Sequence, residues 1–273
     1  MKIGIIGYGS MGRMLLEKLL ASKAVSEENL LVANRTVEKI MHLKDKCVVC
    51  ESNRELAKEA DIVFLCVRPA DMKDILLEIK DYIKEDALLV SLNGSIMFEQ
   101  LSQIYKGKIA KAIPSVTAEV NQSQTLVCYS ERVTEKDKEC LTELLSCMGT
   151  VIEPPEQEMG MGSELVSCMP GFIAAIFGEL CESAKKHIML SESEIARMVL
   201  HTMVGTGRLM LEKGYSFENV ISRVATKGGI TEEGTKVIQE QFPVVADDVF
   251  EKTLEKRRQT TEKAQRSFEE VGW

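Results

Sequence analysis

The chain has 273 residues, 45% of them hydrophobic, with a formal net charge of −8, enough for one large or two modest domains with real cores. The acidic balance argues against a nucleic-acid-binding surface. No signal peptide or membrane span is expected, because the N-terminal apolar run is cut by glycines and turns amphipathic.

Ile3-Gly4-Ile5-Ile6 reads as a buried strand. Gly7-Tyr8-Gly9-Ser10-Met11-Gly12 follows it, and Leu15, Leu16, Leu19 and Leu20 continue at helical spacing. Strand, glycine turn and helix form the context in which G-x-G-x-x-G predicts dinucleotide binding. Gly7 makes the turn, Gly9 lets backbone approach the pyrophosphate, and Gly12 lets the helix pack on the strand. Amides at the helix start then face the diphosphate, which the helix dipole also favours. The plainer alternative is a glycine-rich turn without a ligand.

The second strand, residues 30–33, ends in Asn34-Arg35-Thr36. It lacks the carboxylate that usually binds the adenosine ribose hydroxyls of NAD. The Arg35 guanidinium suits a phosphate, and Asn34 and Thr36 add hydrogen-bond donors. NADP(H) is therefore expected over NAD(H). Capping of a helix starting near Val37 by Asn34 or Thr36 is compatible with that reading.

An amphipathic stretch (37–44), a short strand (47–49) and a helix (53–59) come next. A buried strand (61–67) ends at Arg68-Pro69, followed by a helix (71–83), a strand (87–91), a short helix (97–105) and a strand (108–113). Two more strands (125–129 and 150–152) flank a helix (135–148). This alternation predicts an α/β, Rossmann-type, doubly wound and mainly parallel sheet. The eight cysteines, at 47, 50, 66, 128, 140, 147, 168 and 181, read as reduced thiols of a cytoplasmic protein. Cys47 and Cys50 form the one close pair and no second pair accompanies them, so no metal site is expected. Cys140 and Cys147 are read as core on one helix face.

Pro154-Pro155, Gly160 and Gly162 mark a change of character. The expected division is 1–158 for the nucleotide-binding domain and 159–273 for an all-α domain. Its helices are predicted at 164–188, 191–213, 217–225 and 244–268. The second of them opens with a capping box at Ser191–Glu194 and stops at Gly214. The apolar stretch 170–180 predicts burial on more than one side, and such a half usually packs against something, often a second copy. The 14 methionines, against one tryptophan, read as adaptable core filler. His42, His187 and His201 are assigned to helices, outside every motif.

With these elements placed, nearly the whole chain resembles the pyrroline-5-carboxylate reductase family. Asn34-Arg35-Thr36 resembles its NADP-binding turn, and Phe64-Leu65-Cys66-Val67-Arg68-Pro69 its apolar strand ending in V-K-P. Ser91-Leu92-Asn93-Gly94 stands in the place of S-x-A-G, and Ile113-Pro114-Ser115-Val116-Thr117 resembles M-P-N-T-P. Val166-Ser167-Cys168-Met169-Pro170-Gly171-Phe172 stands where the family has S-G-S-G-P-A-Y, and Ala225-Thr226-Lys227-Gly228-Gly229-Ile230-Thr231 where it has T-S-P-G-G-T-T. The variants I-P-S, S-C-x-P and K-G-G-x-T are closer still to the ComER-type branch encoded beside bacterial late-competence genes.

The resemblance implies NADPH-dependent reduction of a cyclic imine, 1-pyrroline-5-carboxylate to proline, by direct hydride transfer without a histidine relay. It implies cofactor contacts at Gly7, Tyr8, Gly9, Ser10, Met11, Gly12, Asn34, Arg35, Thr36, Val67, Arg68, Pro69 and Asn93. It also implies Gly228 and Gly229 amides at the substrate carboxylate, the Thr231 hydroxyl at the ring nitrogen, and Thr226 beside it. Ser167 and Pro170 would form the other wall at a helix N-terminus, and the C-terminal helices a homodimer or higher oligomer. Thr231, before Glu232-Glu233-Gly234, also reads as a helix N-cap. Met169, Phe172, Ser115 and Lys227 replace the family's glycine, tyrosine, asparagine and proline. These departures fit altered specificity or a lost reaction.

Three rivals stand beside this reading. The β-hydroxyacid dehydrogenase class carries a proton-transfer lysine about one turn into the long interdomain helix, and residues 171–176 contain none. A deazaflavin-linked NADP oxidoreductase would resemble only the first domain. A non-catalytic regulator that binds NADP(H) and another protein through the helical half is the alternative from a different class.

Overall fold

The computed structural model describes residues 1–269. The first half runs β1 (Ile3–Ile6), α1 (Ser10–Ser22), β2 (Leu30–Ala33), β3 (Val48–Val49), α2 (Asn53–Glu59), β4 (Ile62–Leu65) and α3 (Pro69–Ile79). It continues with β5 (Leu88–Ser91), α4 (Phe98–Ile104), β6 (Lys108–Ile113), β7 (Ser123–Tyr129), α5 (Glu135–Ser146) and β8 (Gly149–Ile152). The eight strands form one sheet in the order β3-β2-β1-β4-β5-β6-β7-β8. Every pairing is parallel except β6 with β7, so the expected doubly wound, mainly parallel sheet is present.

The strands are apolar without interruption because both faces are covered. Alternate residues go to opposite sides. Ile3, Ile5, Leu30, Val32, Ile62 and Phe64 join Leu15, Leu16 and Leu19 of α1 and Leu141 and Leu144 of α5. Ile6, Leu31, Val63 and Leu65 meet Leu56, Met72, Leu76, Ile79 and Leu101 on the other face.

The stretch 37–44 departs from expectation. It forms two short 3-10 turns, Val37–Lys39 and Met41–Leu43, rather than one amphipathic helix. Ile40 and Leu43 are both buried. Their spacing of three keeps them on one side in a 3-10 geometry, where side chains three apart eclipse.

The second half consists of α6 (Met159–Ser163), a π-helical segment (Glu164–Cys168), α7 (Met169–Ala184), α8 (Glu192–Lys213), α9 (Phe217–Val224) and α10 (Ile230–Glu269). Pro170 explains the π-helical segment. It has no N–H for the carbonyl four residues back, and its ring crowds that carbonyl, so the preceding turn widens. The capping box at Ser191 opens α8 and the left-handed Gly214 stops it, as expected. The last helix is a correction. It begins at Ile230, not near Val244, and runs through Pro243. The carbonyl that Pro243 leaves without a donor belongs to Gln239, an exposed residue.

Compactness in space divides the chain into Met1–Pro170 with Leu254–Trp273, and Gly171–Thr253. The division by element type near residue 158 follows the end of the strands, whereas the end of α10 returns to the first unit. There Ala264 and Phe268 are buried in the second core layer, and Lys73 Nζ donates to the Ser267 carbonyl.

The second unit is different in kind. Ile195 is its one buried hydrophobic residue, whereas Leu180, Met198, Leu200, Val204, Leu211 and Phe217 are exposed in the single chain. The expected burial of residues 170–180 is absent in one copy, since α7 has no buried residue. The stretch Glu156–Ala184 is also long and apolar enough to cross a membrane by length and composition, with 6% of its apolar window buried. It lies far from the glycine-interrupted N-terminal run on which the expectation of no membrane span rests.

The methionines divide. Met14, Met72, Met148 and Met159 fill core, while Met1, Met41, Met189 and Met198 are exposed. Cys140 and Cys147 are only half-buried, and Cys147 caps α5 rather than lying within it. His201 lies in α8, but His42 sits in a 3-10 turn and His187 in the turn after α7.

Candidate functional site

Strand order reverses between β1 and β4, and both strands end at the same edge. Crevices at such a switch point are where open α/β sheets bind ligands. Here the loops after β1, β2 and β4 enclose a cleft of ≈ 690 Å³.

Gly7 turns the chain at φ +99°, and a side chain there would meet the Cys66 carbonyl. Gly12 is required by close approach, because a Cβ would lie 1.9 Å from the Gly7 oxygen. Around Gly9, in contrast, nothing lies within 4 Å of an added Cβ. Its openness suits a ligand's approach to backbone rather than protein packing. Gly9 is also the N-cap of α1, no side chain caps that helix, and no acidic residue stands in its first turn. The first amides thus have no side-chain acceptor, an arrangement that favours an anion.

Asn34 ties two of the loops together. Its Oδ1 accepts from the Tyr8 amide at 3.0 Å, and its Nδ2 donates to the Thr36 carbonyl at 2.9 Å. Asn34 therefore shapes the turn, and the Thr36 side chain caps nothing. Arg35, 83% exposed, extends over the cleft with Nη1 3.8 Å from Asp71 Oδ1. Arg68 holds the same carboxylate, Nε to Oδ2 at 2.8 Å. The Asp71 carboxyl lies below its ordinary range, chiefly through the Arg68 hydrogen bond and further through the nearby Arg35 charge.

Gly7, Tyr8, Gly9, Asn34, Arg35, Thr36, Val67 and Arg68 line this cleft together. Ser10 borders an adjoining hollow. Met11 and Gly12 pack behind the loop, and Pro69 opens α3. Asn93 is buried in the loop after β5, where its Oδ1 accepts from the Ser95 amide at 2.8 Å. Sequence reasoning missed Lys39 and Asp71, which also line the cleft. Lys39 lies one turn beyond Arg35, a spacing that could have flagged it. Asp71 carried no signal.

The substrate candidates fall in both compact units. Thr226, Gly228 and Gly229 occupy the turn between α9 and α10, and Thr231 follows within the first turn of α10. Gly228 adopts φ +70°, its amide donates to Glu232 Oε2 at 2.7 Å, and the Gly229 amide donates to the Thr226 carbonyl at 2.8 Å. Because α10 starts at Ile230, Thr231 lies inside its first turn. It is not the N-cap. Ser167 and Pro170 are half-buried in the first unit, Ser167 within the π-helical segment. No helix N-terminus opens there, since α6, the π-helical segment and α7 follow one another without a break. Ser115, one of the departures, is buried, and its hydroxyl accepts from the Thr117 amide.

Beside that segment lies a buried ion pair. Glu164 is 1% exposed, and its Oε1 accepts from Arg257 Nη2 at 2.6 Å and Nε at 3.1 Å. Arg257 also reaches Ser163 Oγ at 3.2 Å. Glu164 Oε2 is the one buried side-chain polar atom without a hydrogen-bond partner among the described residues.

Two family models match the chain: "NADP oxidoreductase coenzyme F420-dependent" over residues 2–94, and "Pyrroline-5-carboxylate reductase dimerisation" over residues 156–260. Pyrroline-5-carboxylate reductase 3 of Bacillus subtilis is 36% identical, over 96% of this chain and 97% of its own length. The chain belongs to the pyrroline-5-carboxylate reductase family. ComE operon protein 4 of Bacillus subtilis is 29% identical over 98% of this chain and 99% of its own. The solved structure of the Coxiella burnetii pyrroline-5-carboxylate reductase superposes with a TM-score of 0.83 at 25% identity, covering 97% of this chain and 98% of that one. Membership accounts for the order of the motifs along the chain. The deazaflavin-type match stops within the first unit, as expected for that rival.

Proposed function

We propose that this protein reduces 1-pyrroline-5-carboxylate to proline with NADPH, as a cytoplasmic homodimer. The observation that carries the cofactor is the switch-point cleft, where uncapped α1 amides meet Arg35 and the second strand ends without a carboxylate. Those groups fit a diphosphate and a ribose phosphate. Gly7, Tyr8, Gly9 and Ser10 would cradle the diphosphate, with Arg35 on the ribose phosphate and Asn34 and Thr36 shaping its turn. Val67, Arg68, Pro69 and Asn93 would border the rest of the dinucleotide. The bound nicotinamide supplies a hydride.

The protein's own task is placement. A protonated C=N is already electrophilic, so correct distance and angle suffice. In this reading the Gly228 and Gly229 amides exchange Glu232 and the Thr226 carbonyl for the substrate carboxylate, Thr226 stands beside it, and Thr231 donates its hydroxyl toward the ring nitrogen. Ser167 and Pro170 are further substrate contacts in this reading. Residues 1–158 serve the cofactor, and 159–273 the substrate and the second copy.

The dimer is supported by the apolar faces of α7 to α10, which leave Ile195 as the one buried hydrophobic residue of their unit. Patches of that extent mark an interface. A second copy, rather than lipid, covers Glu156–Ala184 in this proposal, because that stretch falls within the dimerisation match. Eight free thiols are in keeping with a reducing compartment.

The test is NADPH oxidation with pyrroline-5-carboxylate, together with Thr231→Ala. The variant is expected to lose about tenfold in kcat/KM, the worth of one substrate hydrogen bond, while NADPH affinity holds. NADPH binding without turnover on any of a panel of cyclic imines would refute the reductase. That outcome would favour a regulator, the second reading, for which the likeness to ComE operon protein 4 speaks. A monomer in analytical ultracentrifugation would refute the dimer.

A further inference from the structure

Arg35 is not an unencumbered cation. Its guanidinium stands 3.8 Å from Asp71, and the same carboxylate takes two hydrogen bonds from Arg68, at 2.8 and 3.4 Å. Asp71 comes from the first turn of α3, on a different strand-to-helix connection from Arg35. It is 31% exposed, whereas the two arginines are 83% and 73% exposed. The carboxylate is therefore the more buried member of the group and the guanidiniums are the exposed ones. Glu78, another carboxylate of the cleft, is engaged elsewhere, accepting from Asn53 and pairing with Arg54. Any anion that takes hydrogen bonds from Arg35 must share it with Asp71 or displace it, and the carboxylate repels that anion meanwhile.

We propose that Asp71 sets how strongly this cleft prefers a dinucleotide carrying a ribose phosphate over one lacking it. In the free protein Asp71 occupies Arg35 and Arg68 as their counter-ion. A bound ribose phosphate takes Arg35 over, and Asp71 weakens that exchange. The inference rests on reading Arg35 as the phosphate contact. Removing the carboxylate charge frees both arginines and abolishes the repulsion, so binding of NADPH tightens. A dinucleotide without the phosphate never competes for Arg35 and changes less.

The experiment is fluorescence titration of the full-length protein and its Asp71→Asn and Asp71→Ser variants with NADPH and with NADH. Thermal melts establish that each variant is folded. For an exposed charge at this distance the dissociation constant for NADPH should fall roughly three- to tenfold. NADH should shift less than about twofold by the same screening argument. The gain should shrink at high salt. An unchanged ratio of the two affinities overturns the inference, as does weaker NADPH binding in both variants, which would make Asp71 an aligner of Arg35. Failure of the unmodified protein to bind NADPH would instead strike the cofactor reading itself, so the two failures are distinguishable.

Discussion

Arg257→Met should be the most damaging single exchange outside the glycine loop. Glu164 is 1% exposed, both hydrogen bonds from Arg257 go to one of its oxygens, and the other oxygen has no partner. Methionine keeps most of the arginine's length and packing but leaves the carboxylate buried and unpaired. Breaking a buried pair in this way costs about 3–5 kcal/mol. Arg257 is 20% exposed, so some solvent reaches the pair and the lower end, about 3 kcal/mol, applies. For a unit of this size that is a drop of about 6–12 °C in Tm. Glu164→Leu combined with Arg257→Met removes both charges and should recover most of the loss, because apolar replacement of a buried pair is often neutral. Urea and thermal unfolding of the single and double variants give the comparison. A loss below about 1 kcal/mol in Arg257→Met, the range of exposed pairs, would refute the reasoning. So would a double variant no more stable than the single one.

The glycine loop separates packing from ligand access. Gly12→Ala should lower Tm severely, since the new methyl would overlap the Gly7 carbonyl. Gly9→Ala meets no neighbour and should leave Tm nearly unchanged while weakening NADPH binding; equal melting losses in both would contradict this. Acid stability should depend on Asp137. Burial pushes its carboxyl up, but hydrogen bonds from Thr134 and Lys108 hold it below its ordinary value on balance. A depressed folded-state pKa gives stability that is present above the unfolded value, near pH 4, and lost as pH falls through the folded one. Asp137→Asn should therefore be less stable at neutral pH and lose less on acidification, as urea midpoints would show. A wild-type slope in the variant would disprove the assignment.

The strand and glycine-turn signals were legible because they are local. The uninterrupted apolar runs Ile3–Ile6 and Ile62–Leu65 mark strands covered on both faces, and their alternate residues do fill two core layers. Helix starts were legible where a side chain closes its own first turn, as at Ser191 and Thr134. The start of α10 was not. Only residues 244–268 read as helix, whereas the helix begins at Ile230 and passes through Pro243. The turns at 37–44 failed because spacing by three serves both helix types.

By itself the amino-acid sequence determined the Rossmann-type half, the glycine loop after its first strand, the Arg35 position and the family, since each rests on residues close together in the chain. The tertiary structure decided what joins distant segments. It placed Asp71 against Arg35, buried Glu164 against Arg257 across 93 residues, and returned the end of α10 to the first unit. An ion pair of that separation leaves no periodicity to read. Its partners are chosen by packing and desolvation, which exist only once the chain has closed.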